Sequence, residues 1–356
     1  MSRKIEAHAR VCWPIELWPA ADQALWAKAC APQSLFEDDG GELSKMAATS
    51  RAKYAQGWGR FLVYLARHDP HALDLAPAER CANARLQAYV DHLRSSGNSD
   101  GTIVNRLCEI SVVVTAIDPT FDPRTINRYI STLRSKAIPV RSKGHIRPAN
   151  ELVDLGARLM AGARDSINLD EALAFRDGLI IAFLALHPVR RRNLVNFKLG
   201  KNLIRQRDGF MVTFAGSETK NGAPYEVPLA EVLVDAMKQY IEIWRPALIA
   251  RKGRWKRAVG EAIWISADGS PLSPEGISGR IELRTRKAFG KSINPHAFRD
   301  AAATTLVIAD PARVRTAAPL LGHRSLATTE KHYIQATGLQ AQRSYLEVIK
   351  EARRGR

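Results

Sequence analysis

From Thr49 onward the apolar positions of the chain fall into stripes of helical period. Tyr54, Trp58, Phe61, Leu62 and Leu65 recur at i, i+4, i+7, i+8 and i+11, one face of an amphipathic helix with Thr49 or Ser50 as its cap. Three more stripes follow, at Leu86, Tyr89, Val90 and Leu93, at Ile103, Leu107, Ile110, Val114 and Ile117, and at Ile126, Tyr129, Ile130 and Leu133. Four such helices predict a small all-α domain over residues 46–139. Upstream, residues 1–45 set Trp13, Trp18 and Trp26 among polar positions and end in EDDGGE, which predicts a short helical lead-in with no role assigned.

Between Arg134 and Arg147 the pattern is interrupted. This stretch carries Arg134, Lys136, Arg141, Lys143 and Arg147 with no acidic residue, and it reads as a basic linker, placed at 140–149, suited to lie along a phosphate backbone or simply to be solvated. Beyond it, helical patterns cover Glu151 to Met160 and Glu171 to Leu186. Short alternating runs then flank Glu218-Thr219-Lys220-Asn221-Gly222, at Phe210 to Phe214 and Tyr225 to Leu229; Asn-Gly between two such runs predicts a hairpin. A helix from Val232 to Ile249, a third strand-like run from Ala262 to Ser266 and further helices complete a second domain over 150–356. The fold class expected is therefore mainly α, in two domains, the second holding a small antiparallel sheet.

Charge sharpens the picture. The 356 residues include 53 Lys+Arg against 36 Asp+Glu, a net charge of +17, which points to a polyanionic partner. Double-stranded DNA is the first expectation. A membrane is not, because the longest apolar stretch, Leu179 to Leu186, falls far short of the ~20 residues of a span. The first residues, MSRKIEAHAR, lack the apolar core of a signal peptide, so a cytoplasmic location is expected. Cys12, Cys30, Cys81 and Cys108 have neither metal-site nor disulfide-framework spacing.

Candidate chemistry is densest near the end of the chain: Asn294-Pro-His296-Ala-Phe-Arg299, then Leu321-Gly-His323, then Tyr333. His296 and Arg299 stand at i and i+3, which would put both on one face of one helix. These motifs resemble the catalytic region of tyrosine recombinases of the phage-integrase type. The resemblance runs backwards through Pro188-Val189-Arg190-Arg191-Arg192-Asn193-Leu194, similar to the first arginine box, where the catalytic arginine precedes a leucine by four (194 − 190 = 4). It continues in Lys220, which resembles the strand-borne catalytic lysine, in Val227-Pro228-Leu229 after it, and in residues 46–139, which resemble a core-binding (SAM-like) domain.

The resemblance implies an enzyme that cleaves and rejoins DNA strands through a 3′-phosphotyrosyl link, integrating or excising a mobile element without metal, ATP or other cofactor. It implies the roles as well: Tyr333 as nucleophile, Arg190 and Arg299 clamping the phosphate, His296 as proton acceptor, His323 as a hydrogen-bond partner of the phosphate and Lys220 as the acid for the leaving 5′ oxygen. The residue types suit that chemistry, since a phosphorane-like state gathers negative charge on its non-bridging oxygens and guanidinium donates two parallel hydrogen bonds to such oxygens. Tetramer formation on DNA, a clamp of the two domains about the duplex and a DNA-bending accessory protein belong to the same implication. Expected DNA contacts are Arg134, Lys136, Arg141, Lys143 and Arg147, with Thr102, Asn105 and Arg106 on the third helix.

Several alternatives stay open at this level. Arg191 and Arg192 are register alternatives to Arg190, and Lys201 and Lys291 compete with Lys220. Arg251, Lys252, Arg254, Lys256 and Arg257 around Trp255 form a second basic cluster, either a DNA contact or a solvated loop. A type IB topoisomerase, a non-catalytic DNA-binding protein and a telomere resolvase are the rival classes. The chain also departs from the family pattern: His187-Pro188 replaces the usual glycine before the first box, Asn193 replaces an acidic residue, and Tyr333 follows His323 by ten (333 − 323) rather than nine.

Overall fold

The computed structural model describes residues 10–32, 41–136, 147–162, 168–220, 222–251 and 258–309. His323, Tyr333, Arg141, Lys143, Asn221 and positions 252–257 of the second basic cluster lie outside the described residues. The chain divides into two compact units, residues 1–142 and 143–356.

The first unit is all α: α1 (Ala20–Cys30), α2 (Ala48–His68), α3 (Pro77–Arg80), α4 (Asn83–Ser95), α5 (Asp100–Ile117) and α6 (Arg124–Lys136). The four stripes become the inward faces of α2, α4, α5 and α6, and Trp58, Phe61, Leu62, Leu65, Ile103 and Ile110 are fully enclosed. Ser99 caps α5 by accepting the Thr102 N–H. The expected cap of α2 is corrected: Ala47 occupies the cap position, and Thr49 and Ser50 lie within the first turn.

The lead-in is part of this core. Trp18 and Trp26 are buried in it and meet edge to face at 5.7 Å. Asp22 on α1 is enclosed, receiving Trp58 Nε1–H at 2.9 Å and Arg80 Nη1–H at 2.6 Å. Both donors reach the same oxygen, Oδ2, and the guanidinium supplies the counter-charge without which a buried carboxylate is costly. Residues from α1, α2 and α3 thus close around one charge pair.

The second unit comprises α7 (Ala149–Ala161), α8 (Leu169–Leu186), α9 (Arg191–Val195), β1 (Leu203–Gln206), β2 (Gly209–Phe214), β3 (Tyr225–Pro228), α10 (Val234–Gln239), α11 (Arg245–Ala250), α12 (Pro274–Phe289) and α13 (Ala297–Ala309). At its centre α8 is buried on every side over Ala172–Ala185, apart from a half-exposed residue 174, which explains why its sequence shows an apolar run rather than a stripe. Against it α7 crosses closely: a Cβ on Gly156 would sit 2.6 Å from the Gly178 carbonyl oxygen, and one on Gly178 would meet the Gly156 carbonyl oxygen at 2.6 Å.

The sheet runs β1-β2-β3, antiparallel throughout, with Leu203 opposite Val212 and Phe214 opposite Tyr225. It differs from expectation in its third member. The run from Ala262 to Ser266 makes single bridges, Lys198 to Ala262 and Ile265 to Pro271, while the sheet's outer strand is β1. The connection between β2 and β3 spans residues 215–224, and the two strands pair as the expected hairpin. The helix expected over Val232 to Ile249 is interrupted by a π turn at Tyr240–Trp244, one residue short of Pro246, whose missing N–H cannot close an α-type bond.

Candidate active site

Arg190 emerges where α8 ends. After Leu186 the chain leaves the helix through His187, Pro188 and Val189, all buried, and Arg190 stands half-exposed at the start of α9. His187 anchors this turn. Its Nε2 accepts the Ala230 N–H at 3.0 Å, its Nδ1 lies 3.3 Å from the Tyr225 hydroxyl, and its ring stacks on Phe183. Burial lowers its pKa to about 4, so the ring is neutral at physiological pH.

Arg299 comes from α13 and meets the same turn. It is buried, and its Nη1–H donates to the Pro188 carbonyl oxygen. Burial and then the charge of Arg190 bring its pKa down to about 10, outweighing Asp300 and Tyr225, which favour the charged form. Burial likewise lowers the pKa of Arg190. Both groups remain cationic near neutrality, and an anion bound between them relieves the repulsion each feels. A buried and a half-exposed guanidinium at one turn suit a phosphodiester.

His296 lies outside the helix that carries Arg299, whereas the i, i+3 spacing predicts one helix for both. It precedes α13 by one residue and is exposed, because the Asn294 side chain accepts the N–H groups of His296 and Ala297 and starts the helix only at Ala297. Lys220 is exposed on the β2–β3 connection. That connection is braced from within: Thr219 Oγ1 reaches the carbonyl oxygens of Gly216 (3.0 Å) and Ala223 (2.7 Å), and Glu218 accepts the Ala215 N–H. Gly216 is required at its neck, since a Cβ there would lie 2.4 Å from the Gly222 carbonyl oxygen.

Asn193 ties the two parts together by donating to the Glu218 carbonyl oxygen at 3.2 Å, a bond that an acidic side chain at this position could not make when ionised. The competitors lie elsewhere. Lys201 pairs with Glu218 at 3.0 Å, Arg191 and Arg192 are exposed on α9, and Arg192 lines a cavity of about 260 Å³ with Lys198, Lys201 and Glu218. Only Arg190 of the three arginines stands at the turn that receives Arg299.

The expected DNA contacts are placed unevenly. Arg134 and Lys136 are exposed in the last turn of α6 rather than in a linker. Arg147 sits over the Phe289 ring at 5.0 Å and pairs with Glu151. Asn105 is exposed, whereas Thr102 lies 3.1 Å from the Ser99 hydroxyl and Arg106 pairs at 2.8 Å with buried Glu109, which Lys53 and Arg60 also approach. Among the described residues no group of three or more His, Cys, Asp or Glu could hold a metal ion, and no helix is long and apolar enough to cross a membrane.

Residues 157–338 match the Phage integrase family. The chain belongs to that family. Its curated relatives include the tyrosine recombinase XerD of Staphylococcus aureus, 27% identical over 260 residues, or 69% of this chain and 83% of that one. The XerD of Staphylococcus saprophyticus is 27% identical over 238 residues, covering 63% and 76%. Among solved structures, the XerH site-specific recombinase bound to palindromic difH substrate in a post-cleavage complex superposes with a TM-score of 0.59 at 15% identity, over 94% of this chain and 96% of that one. At that identity the likeness is one of fold, mainly α in two domains with a small sheet.

Tyr225 and His187 stand at the turn before Arg190, and neither has a role in the sequence reading. His187 drew notice only as part of the His187-Pro188 pair that replaces the usual glycine before the first box. No local signal marks Tyr225, an alternating residue at the start of a strand.

Proposed function

We propose that this protein is a site-specific DNA recombinase that cleaves and rejoins strands through a 3′-phosphotyrosyl link to Tyr333, integrating or excising a mobile element. The observation that carries the reading is the meeting of Arg190 and Arg299 about one turn, a half-exposed and a buried cation whose repulsion a phosphate would relieve. Family membership supports the reading of His296, Lys220, His323 and Tyr333 as the rest of the set. In the first step the Tyr333 phenol oxygen attacks phosphorus, its proton passing to His296. The bond to the 5′ oxygen breaks, and that oxygen takes its proton from Lys220. Arg190, Arg299 and His323 hold the non-bridging oxygens as charge builds on them, the kind of donor whose loss typically costs ~10²–10³ in rate. Religation reverses the step with a 5′ hydroxyl of another strand, so no external energy source is needed.

Affinity in this reading comes mainly from lysine and arginine contacts to phosphate, among them Arg134, Lys136, Arg141, Lys143 and Arg147, and weakens steeply with salt. Base contacts from Asn105, with Thr102 and Arg106 beside it, belong to the first unit. Pairs of protomers on each site, joined in a tetramer with or without a DNA-bending partner, complete the proposal.

The test incubates full-length protein with nicked duplexes taken from the ends of its own genetic element and looks for a denaturation-resistant protein–DNA adduct. An adduct with the wild type and none with Tyr333→Phe is the expected result. Binding without an adduct on every fragment would replace this reading with that of a non-catalytic DNA-binding protein.

A further inference from the structure

The hydrogen bonds around His187 fix more than a turn. Nε2 accepts the Ala230 N–H at 3.0 Å, so in the neutral ring the proton sits on Nδ1, and Nδ1 then donates to the Tyr225 oxygen at 3.3 Å. With its oxygen used as an acceptor toward His187, the Tyr225 hydroxyl directs its own proton elsewhere. Tyr225 is half-buried, so this proton faces neither bulk water alone nor a sealed core.

Its surroundings say where a ligand would lie. Tyr225 opens β3 directly after the connection that carries Lys220, and is paired with Phe214 at the last rung of the sheet. Through His187 it touches the same four-residue turn, 187–190, that ends in Arg190 and receives Arg299 at Pro188. The phenol is close enough to Arg299 for each to shift the other electrostatically. Burial nonetheless pushes the Tyr225 pKa up to about 12, so the group keeps its proton and serves as a donor rather than a nucleophile.

We infer that Tyr225 is a further catalytic residue, whose hydroxyl, aimed by His187, donates a hydrogen bond to a non-bridging oxygen of the phosphodiester held by Arg190 and Arg299. The inference rests on the strand-cleavage reading above. In it His187 is a positioning residue: it reaches the phosphate only through Tyr225 and through the turn it anchors.

The experiment uses full-length protein and a nicked duplex on which the wild type forms its adduct, with the scissile phosphate either native or replaced by each of the two methylphosphonate diastereomers, in which one non-bridging oxygen is a methyl group. Adduct formation is followed in single turnover at saturating protein, with DNA affinity and thermal melting measured in parallel. Tyr225→Phe, which keeps the ring, is expected to slow cleavage of the native substrate by about 10²-fold with affinity and melting unchanged, the scale for loss of one preorganised donor. On the diastereomer that lacks the accepting oxygen, wild type and Tyr225→Phe are expected to react at the same rate, which a structural defect would not produce. His187→Gln should slow the native reaction in the same direction, and combining it with Tyr225→Phe should add little. Cleavage by Tyr225→Phe at the wild-type rate, or an equal deficit on all three substrates, overturns the inference while leaving strand cleavage intact. Failure of the wild type to form an adduct on any fragment would instead overturn the recombinase reading, and this inference with it.

Discussion

Replacing Asp177 by Asn should destabilise the second unit severely, because among the described residues this carboxylate is the counter-charge that three arginines share. Asp177 and Arg176 are each 1% exposed, and Arg176 Nη2 lies 2.6 Å from Oδ1. From α12, Arg280 Nη2 approaches Oδ2 to 2.6 Å and Arg284 Nε approaches it to 2.8 Å. Burial alone would push the carboxyl pKa up, but Arg176 and Arg280 outweigh it and hold the group below the usual carboxylate range. An amide in its place keeps the shape and loses the charge, leaving Arg176 cationic with no route to water. Breaking one side of a buried pair typically costs ~3–5 kcal/mol. For a unit of this size each kcal/mol lowers the midpoint by about 2–4 °C, so a drop of roughly 10 °C is expected. Scanning calorimetry on the full chain measures it. The accompanying control is Arg176→Leu with Asp177→Leu, which removes the enclosed guanidinium together with its partner and leaves Arg280 and Arg284, 29% and 17% exposed, to be solvated. The double variant should melt above Asp177→Asn. A drop of under ~1 kcal/mol for Asp177→Asn, or a double variant less stable than the single, would refute the claim that an uncompensated Arg176 charge is what the carboxylate prevents.

Two further outcomes are expected. Because the His187 pKa is near 6.5 unfolded and about 4 folded, the unfolded chain binds the extra proton first as pH falls; stability is full above about 6.5 and declines toward pH 4, by roughly 3 kcal/mol from this group. Melting curves of wild type and His187→Gln between those pH values should converge as the pH drops, and parallel curves would show that His187 is not the group titrating. Gly216→Ala should leave the melting midpoint of the second unit within a few degrees yet slow adduct formation by ~10-fold or more, because its Cβ displaces the neck of the connection that carries Lys220; unchanged cleavage would show that the connection rearranges without cost.

What the sequence disclosed and what it hid divide along a physical line. Stripes such as Trp58, Phe61, Leu62 and Leu65 were legible because each helix declares its buried face by period alone, whatever packs against it. Asp22 and Asp177 were not, since a charged residue inside a helix looks solvated until its partner is known, and those partners lie 58 residues away at Arg80 and 103 away at Arg280. Strand β1 escaped notice because it is four residues long and exposes three of them. The order of Arg190, Lys220, His296 and Arg299 could be read as motif, but the displacement of His296 from the helix depends on the Asn294 side chain, a local contest between cap and helix that spacing does not express.

The burial of Asp22 beneath Trp58 and Arg80 bears on how this protein can be taken apart. A fragment begun at residue 46, where the striped pattern starts, would retain Arg80 at 2% exposure and discard the carboxylate that accepts from it, along with Trp18 and Trp26. Such a cut passes through a hydrophobic core instead of between domains. Work on the isolated first unit therefore has to begin upstream of Trp13, and the segment that looks like an appendage is a structural component of the unit that follows it.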